Sequence, residues 1–151
     1  MRYSDLENKE IARLIPRIKS KNSKKSYKMI WMNSPSFSRL LGYLLSEGRL
    51  STTSNQIWFT NGDEELVSDY SKIIKEVFDL TPTINEYKPN CWDVIIYSEP
   101  LKKILQKLGM SSRTENKSIS NIILKHSSNI EISNLLNGLY CGDGYISATS
   151  P

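Results

Sequence analysis

The chain is 151 residues long, 38% hydrophobic and 24% charged, with a formal net charge of +4, which is the length of one domain and an ordinary globular balance. No apolar run approaches the length of a membrane span and the polar start MRYSDLENKE is not a secretory signal, so a cytoplasmic protein without membrane contact is expected. Cys91 and Cys141 form no CxxC or Cys/His cluster and the single histidine, His126, has no partner at ligand spacing, which argues against zinc and predicts two reduced thiols in a packed interior.

Residues 1–28 hold nine basic and three acidic side chains, a local charge of +6 that leaves the rest of the chain at −2. A basic arm on a nearly neutral body suits a polyanionic partner, because Lys and Arg contacts to phosphate release counterions. Within it, Leu6, Ile11, Leu14, Ile15 and Ile18 recur at helical spacing, with Pro16 expected to bend or end the helix, and KSKNSKKSYK reads as a linker. Residues 1–28 are therefore taken as a basic helix and linker, and residues 29–151 as the domain.

Ser34-Pro35 is a strong helix start, a cap residue followed by proline at the first helical position. Phe37, Leu40, Leu41, Leu44 and Leu45 then make an apolar stripe, and Gly48 is expected to close the helix in the left-handed conformation. Residues 49–53 and 56–60 alternate as a hairpin. The stretch DEELVSDYSKIIKEVFDL follows, with an acidic first turn and apolar residues at the 3.6 period, an amphipathic helix. TINEYK and CWDVIIYS form a second hairpin turning at Pro89-Asn90, and Ser98 caps EPLKKILQKLG, which Gly109 ends. After the polar loop 110–118, residues 119–126 read as a short helix and Ser133 as the cap of the last one. The order helix, hairpin, helix, hairpin, helix predicts an α+β fold in which helices cover one face of a four-stranded antiparallel sheet and leave the other free.

The two ends of this layer repeat one another. LLGYLLSEG at residues 40–48 and LNGLYCGDG at residues 136–144 each place glycine, an apolar filler, a small residue, an acid and glycine in the same order. Gly42 and Ser46 are four apart, as are Gly138 and Gly142, so each helix has a flat small-residue patch through which two backbones can approach closely. If the helices run side by side in the same direction, Glu47 and Asp143 converge. Two close carboxylates repel unless a cation lies between them, and a hard divalent ion with oxygen ligands and water is the natural occupant.

These paired motifs, over residues 34 to 147, resemble those of the LAGLIDADG homing endonucleases, also called the DOD type. The resemblance implies a homing endonuclease-like lobe plus a second motif helix, with the motif helices forming the interface between two pseudo-symmetric halves. It also implies Glu47 and Asp143 as Mg²⁺ ligands in site-specific cleavage of double-stranded DNA, with Glu47 in place of the commoner aspartate. A basic residue near the scissile phosphate is usual in this family, and Lys117 is the candidate. If Leu50, Ile57 and Phe59 point to the helices, then Arg49, Ser51, Thr53, Gln56, Trp58 and Thr60 face DNA, with Asn85 and Tyr87 added from the second hairpin. The competing function is a non-catalytic nucleic-acid binder built on the same lobe, such as an intron RNA maturase or a transcription regulator.

Only residues 145–151 follow the second motif, enough to begin one strand of a second lobe. Three accounts fit: a truncated gene product, a half that needs a partner chain, or a chain that pairs with itself. The first is preferred, because the break falls at no domain boundary and leaves a strand edge unpaired. An intein parent is a further possibility, although no splicing nucleophile or His-Asn pair is present.

Overall fold

In the computed structural model, residues 34–143 are described. The expected basic helix and linker at 1–28 and the strand expected after Gly144 lie outside the described residues.

Helix α1 spans Pro35–Ser46. Ser34 accepts the Phe37 N–H through its hydroxyl at 3.1 Å, so the cap and the proline start act as expected. The apolar stripe is sealed, with Phe37, Leu40, Leu41 and Leu44 all at 2% exposure or less. Gly48 departs from expectation. The residue that ends the helix is Glu47, with φ of −113°, and Gly48 already belongs to the following strand without a positive φ. Glycine is required there for space, since a Cβ would lie 2.5 Å from Leu44 Cα.

The sheet has the order β1-β2-β4-β3 and is antiparallel throughout. Strand β1 is Gly48–Leu50 and β2 is Gln56–Asn61, in register Arg49 opposite Trp58. The first strand is shorter than the alternation suggests, because the Ser51 hydroxyl accepts the N–H groups of Thr53 and Ser54 and bends the chain. Strands β3, Thr83–Lys88, and β4, Cys91–Tyr97, form the second hairpin. Asn90, with φ of 56°, takes the left-handed position of the Pro89-Asn90 turn. The edge of β1 is covered by the loop after the third helix, where the Leu50 N–H donates to Ser111 O at 3.3 Å.

Helix α2 is Glu64–Phe78, capped by Asp63, and α3 is Glu99–Lys107, capped by Ser98. Both lie on the same sheet face as α1. Leu50, Ile57 and Phe59 from the first hairpin and Val94 and Ile96 from β4 meet Val67, Tyr70, Ile74, Leu101 and Leu105 in one core. Each fully buried side chain of this kind contributes about 1.5–3 kcal/mol. Phe59 stacks on Tyr70 with ring centroids 4.3 Å apart, and the Tyr43 hydroxyl donates to Asp69 at 2.6 Å, tying α1 to α2.

Beyond Gly109, which holds φ of 100° as the expected stop of α3, a polar loop runs to a short helix α4, Asn121–His126. The last helix, α5, is Asn129–Asp143. Its cap is not Ser133, which lies inside the helix, but Ser128. Ser128 Oγ accepts the Glu131 N–H at 3.3 Å while Glu131 Oε2 accepts the Ser128 N–H at 2.7 Å, a reciprocal capping box. Cys91 is partly buried and Cys141 is exposed, so the thiols are free but not in a packed interior.

Candidate metal centre and nucleic-acid face

The small residues of α1 and α5 meet as their repeat predicts. A Cβ on Gly42 would strike Leu135 O and lie 2.6 Å from Leu139 N; one on Gly138 would strike Arg39 O; one on Gly142 would strike the Ser46 hydroxyl. Each contact joins residues of α1 to residues roughly 96 positions later, and the positions increase together along both helices. The helices are therefore parallel, and their carboxyl ends lie together.

Glu47 follows Ser46 directly, and the position a Gly142 Cβ would take is 3.5 Å from Glu47 Cγ. Asp143 is the last residue of α5, one step beyond that contact; its side chain is outside the described residues. Glu47 is half-buried. The two helix ends add negative dipole to this corner, which favours a cation there.

Lys117 reaches the same corner. Its Nζ donates to Leu45 O at 3.1 Å, across 72 residues, so the loop after α3 is fastened to the carboxyl end of α1 two residues before Glu47. The loop is held in turn by the Ser118 N–H donating to Gly109 O at 2.9 Å and by the 3-10 turn Thr114–Asn116.

Among the described residues no group of three or more His, Cys, Asp or Glu side chains gathers as a metal cage. A site of one or two carboxylates at a cradle of small residues would suit a hard ion that keeps several waters better than an ion needing a full protein shell.

The sheet face turned away from the helices carries the other candidate residues. Across the ladder Arg49, Trp58, Ile95 and Thr83 form one row, Gln56 and Tyr97 a second, and Thr60, Asp93 and Asn85 a third. Arg49 holds its guanidinium over the Trp58 ring, 4.6 Å from the centroid. Gln56 Nε2 donates to the Tyr97 hydroxyl at 3.1 Å. Ser51 and Thr53 are not on this face as strand residues. They belong to the β1–β2 loop, where the Ser51 hydroxyl organises the turn. Tyr87 sits at the irregularity between Glu86 and Lys88, exposed but outside the alternation that was to orient it. Tyr97, Asp93 and Thr83 were overlooked, although the alternation applied to the first hairpin places them when carried through β4 and β3.

Residues 34–109 match the profile of the LAGLIDADG-like domain. The chain belongs to that family, within the superfamily of homing endonucleases and maturases. A stretch of 78 residues is also similar, at 30% identity, to a replication factor C small subunit of Methanocaldococcus jannaschii. That stretch is 51% of this chain and 4% of the other protein, so the chain spans a small fraction of the relative's length. No described helix is long and apolar enough to cross a membrane.

Proposed function

We propose that this protein is a site-specific endonuclease of the homing type, acting on double-stranded DNA. The observation that carries the reading is the parallel packing of α1 and α5 through Gly42, Ser46, Gly138 and Gly142, which brings Glu47 to the end of α5. Glu47 and Asp143 would hold Mg²⁺, which when bound stabilises the attacking and leaving oxygens of in-line phosphodiester hydrolysis. Lys117, anchored beside α1, would supply a positive charge near the phosphate whose bond is cut. The Arg49–Trp58 pair and the polar rows of the sheet hold the duplex in register. Ile130, Leu136 and Tyr140 on the outward side of α5, 41–65% exposed, offer a second sheet lobe its docking face, whether that lobe comes from another chain or from a second copy.

The test is incubation of the chain with DNA spanning the insertion junction of its own gene, with and without Mg²⁺. A Glu47→Gln, Asp143→Asn double variant is run beside it. Mg²⁺-dependent cleavage that the double variant lacks is the expected result. Salt-sensitive binding without cleavage, unchanged in the double variant, would instead make the protein a nucleic-acid binder of the maturase or regulator kind.

A further inference from the structure

Asp93 is an anomaly on the sheet face. It is a carboxylate only 8% exposed, in β4, one of the two inner strands of the surface proposed to meet a polyanion. Thr60 Oγ1 donates its one proton to Asp93 Oδ1 at 2.5 Å, which locks the carboxylate and leaves the hydroxyl only lone pairs to offer. Among the described residues no ion pair reaches Asp93. Arg49 shares the face, but its guanidinium lies over Trp58. Among the described residues no second hydrogen bond to the Asp93 carboxylate accompanies that from Thr60, and the residue keeps 8% exposure.

A recessed carboxylate without a cation repels phosphate and accepts hydrogen bonds. On the major-groove edges of a duplex, cytosine N4 and adenine N6 are donors, whereas guanine and thymine present acceptors at the corresponding places. Burial among its neighbours and the Thr60 bond hold the acceptor in one position before any ligand arrives, which lowers the cost of ordering it on binding.

We propose that Asp93, fixed by Thr60, is a specificity-determining residue that accepts from the exocyclic amine of cytosine or adenine at one base pair of the target. The inference rests on the reading of the sheet face as the DNA surface. It predicts that the acceptor pair discriminates at one position, while the row of Arg49 and Trp58 contributes elsewhere.

The experiment is selection of bound duplexes from a randomised double-stranded DNA pool by the full chain, by Asp93→Asn and by Thr60→Val. The wild type is expected to select an amine-bearing base at one position. Asp93→Asn, whose amide also donates, should reduce that preference about tenfold and leave the other positions unchanged. Thr60→Val should weaken the same position by a smaller factor, and it decides the matter if thermal unfolding shows that Asp93→Asn has lost its fold. Duplex binding with an identical preference in the folded variants would overturn the role of Asp93 and leave the DNA reading standing, Asp93 then serving only to fasten β4 to β2. No duplex binding by the wild type would overturn both.

Discussion

Helices α1 and α5 carry the same pattern of small residues and a closing acid, yet they are held by different forces. Helix α1 is surrounded: its stripe of Phe37, Leu40, Leu41 and Leu44 is sealed against the sheet and α2, and its glycine face lies on α5. Helix α5 buries Leu135, Gly138 and Glu131 but leaves Ile130, Leu136 and Tyr140 outward. The position of Glu47 is thus set by the core of the domain. That of Asp143 depends on one helix–helix contact and one cap, so damage to α1 unfolds the protein whereas damage to α5 misplaces an acid.

The sharpest way to break this contrast is with matched leucines. Leu40→Ala, at a position with no exposure, is expected to cost about 2–5 kcal/mol in urea unfolding. Leu136→Ala, at 41% exposure, should change stability by less than about 0.5 kcal/mol. Equal losses would mean that α5 is as deeply supported as α1.

Alkaline titration probes the α1 side. Burial first, and then the bond to Asp69, push the Tyr43 phenol up to about 12, against the opposing effect of Arg39. Unfolded tyrosine ionises near pH 10, so the native state binds more protons between about pH 10 and 12 and stability falls as pH rises through that window, by up to about 3 kcal/mol. Tyr43→Phe should flatten that limb in denaturation series at pH 9 to 12; Tyr70, also raised by burial, keeps part of it.

Gly138→Ala tests the contact between the helices. The added methyl strikes the backbone carbonyl of Arg39, which cannot turn aside, and overpacking of this kind costs about 1–3 kcal/mol. On the endonuclease reading proposed above, Mg²⁺-dependent cleavage should fall further than stability does, because separating α5 from α1 draws Asp143 from Glu47. The smallest effect is expected at the cap: Ser128→Ala should cost about 1 kcal/mol by thermal unfolding, while Ser133→Ala, inside the helix, should be nearly neutral.

What could be read before the structure was known was whatever periodicity and pairing encode. Ser34-Pro35, the stripe of α2, the Pro89-Asn90 turn and the matched glycines of the two motifs all fell where expected. The errors share a cause, which is that local chemistry overrode a pattern. Ser51 bent a strand that alternation would have prolonged, and Gly48 was needed for its lack of a side chain rather than for its φ. Ser133 has a cap residue's chemistry but lies inside the helix, and Ser128 with Glu131 spells the capping box. Alternation alone puts Asp93 on the outer face, but its Thr60 partner is visible only from the register of β2 on β4.

The capping box at Ser128 has a further consequence for how this chain tolerates change. It clocks α5: from Asn129 to Asp143 the helix advances about 1.5 Å and turns about 100° for each residue. One residue inserted between the box and Gly138 would therefore swing Gly138, Gly142 and Asp143 together about a quarter-turn off the α1 seam. An insertion after Lys117 and before Asn121 would leave the box, and with it the phase of α5, unchanged. The helix works as a dial whose zero is set at its first turn.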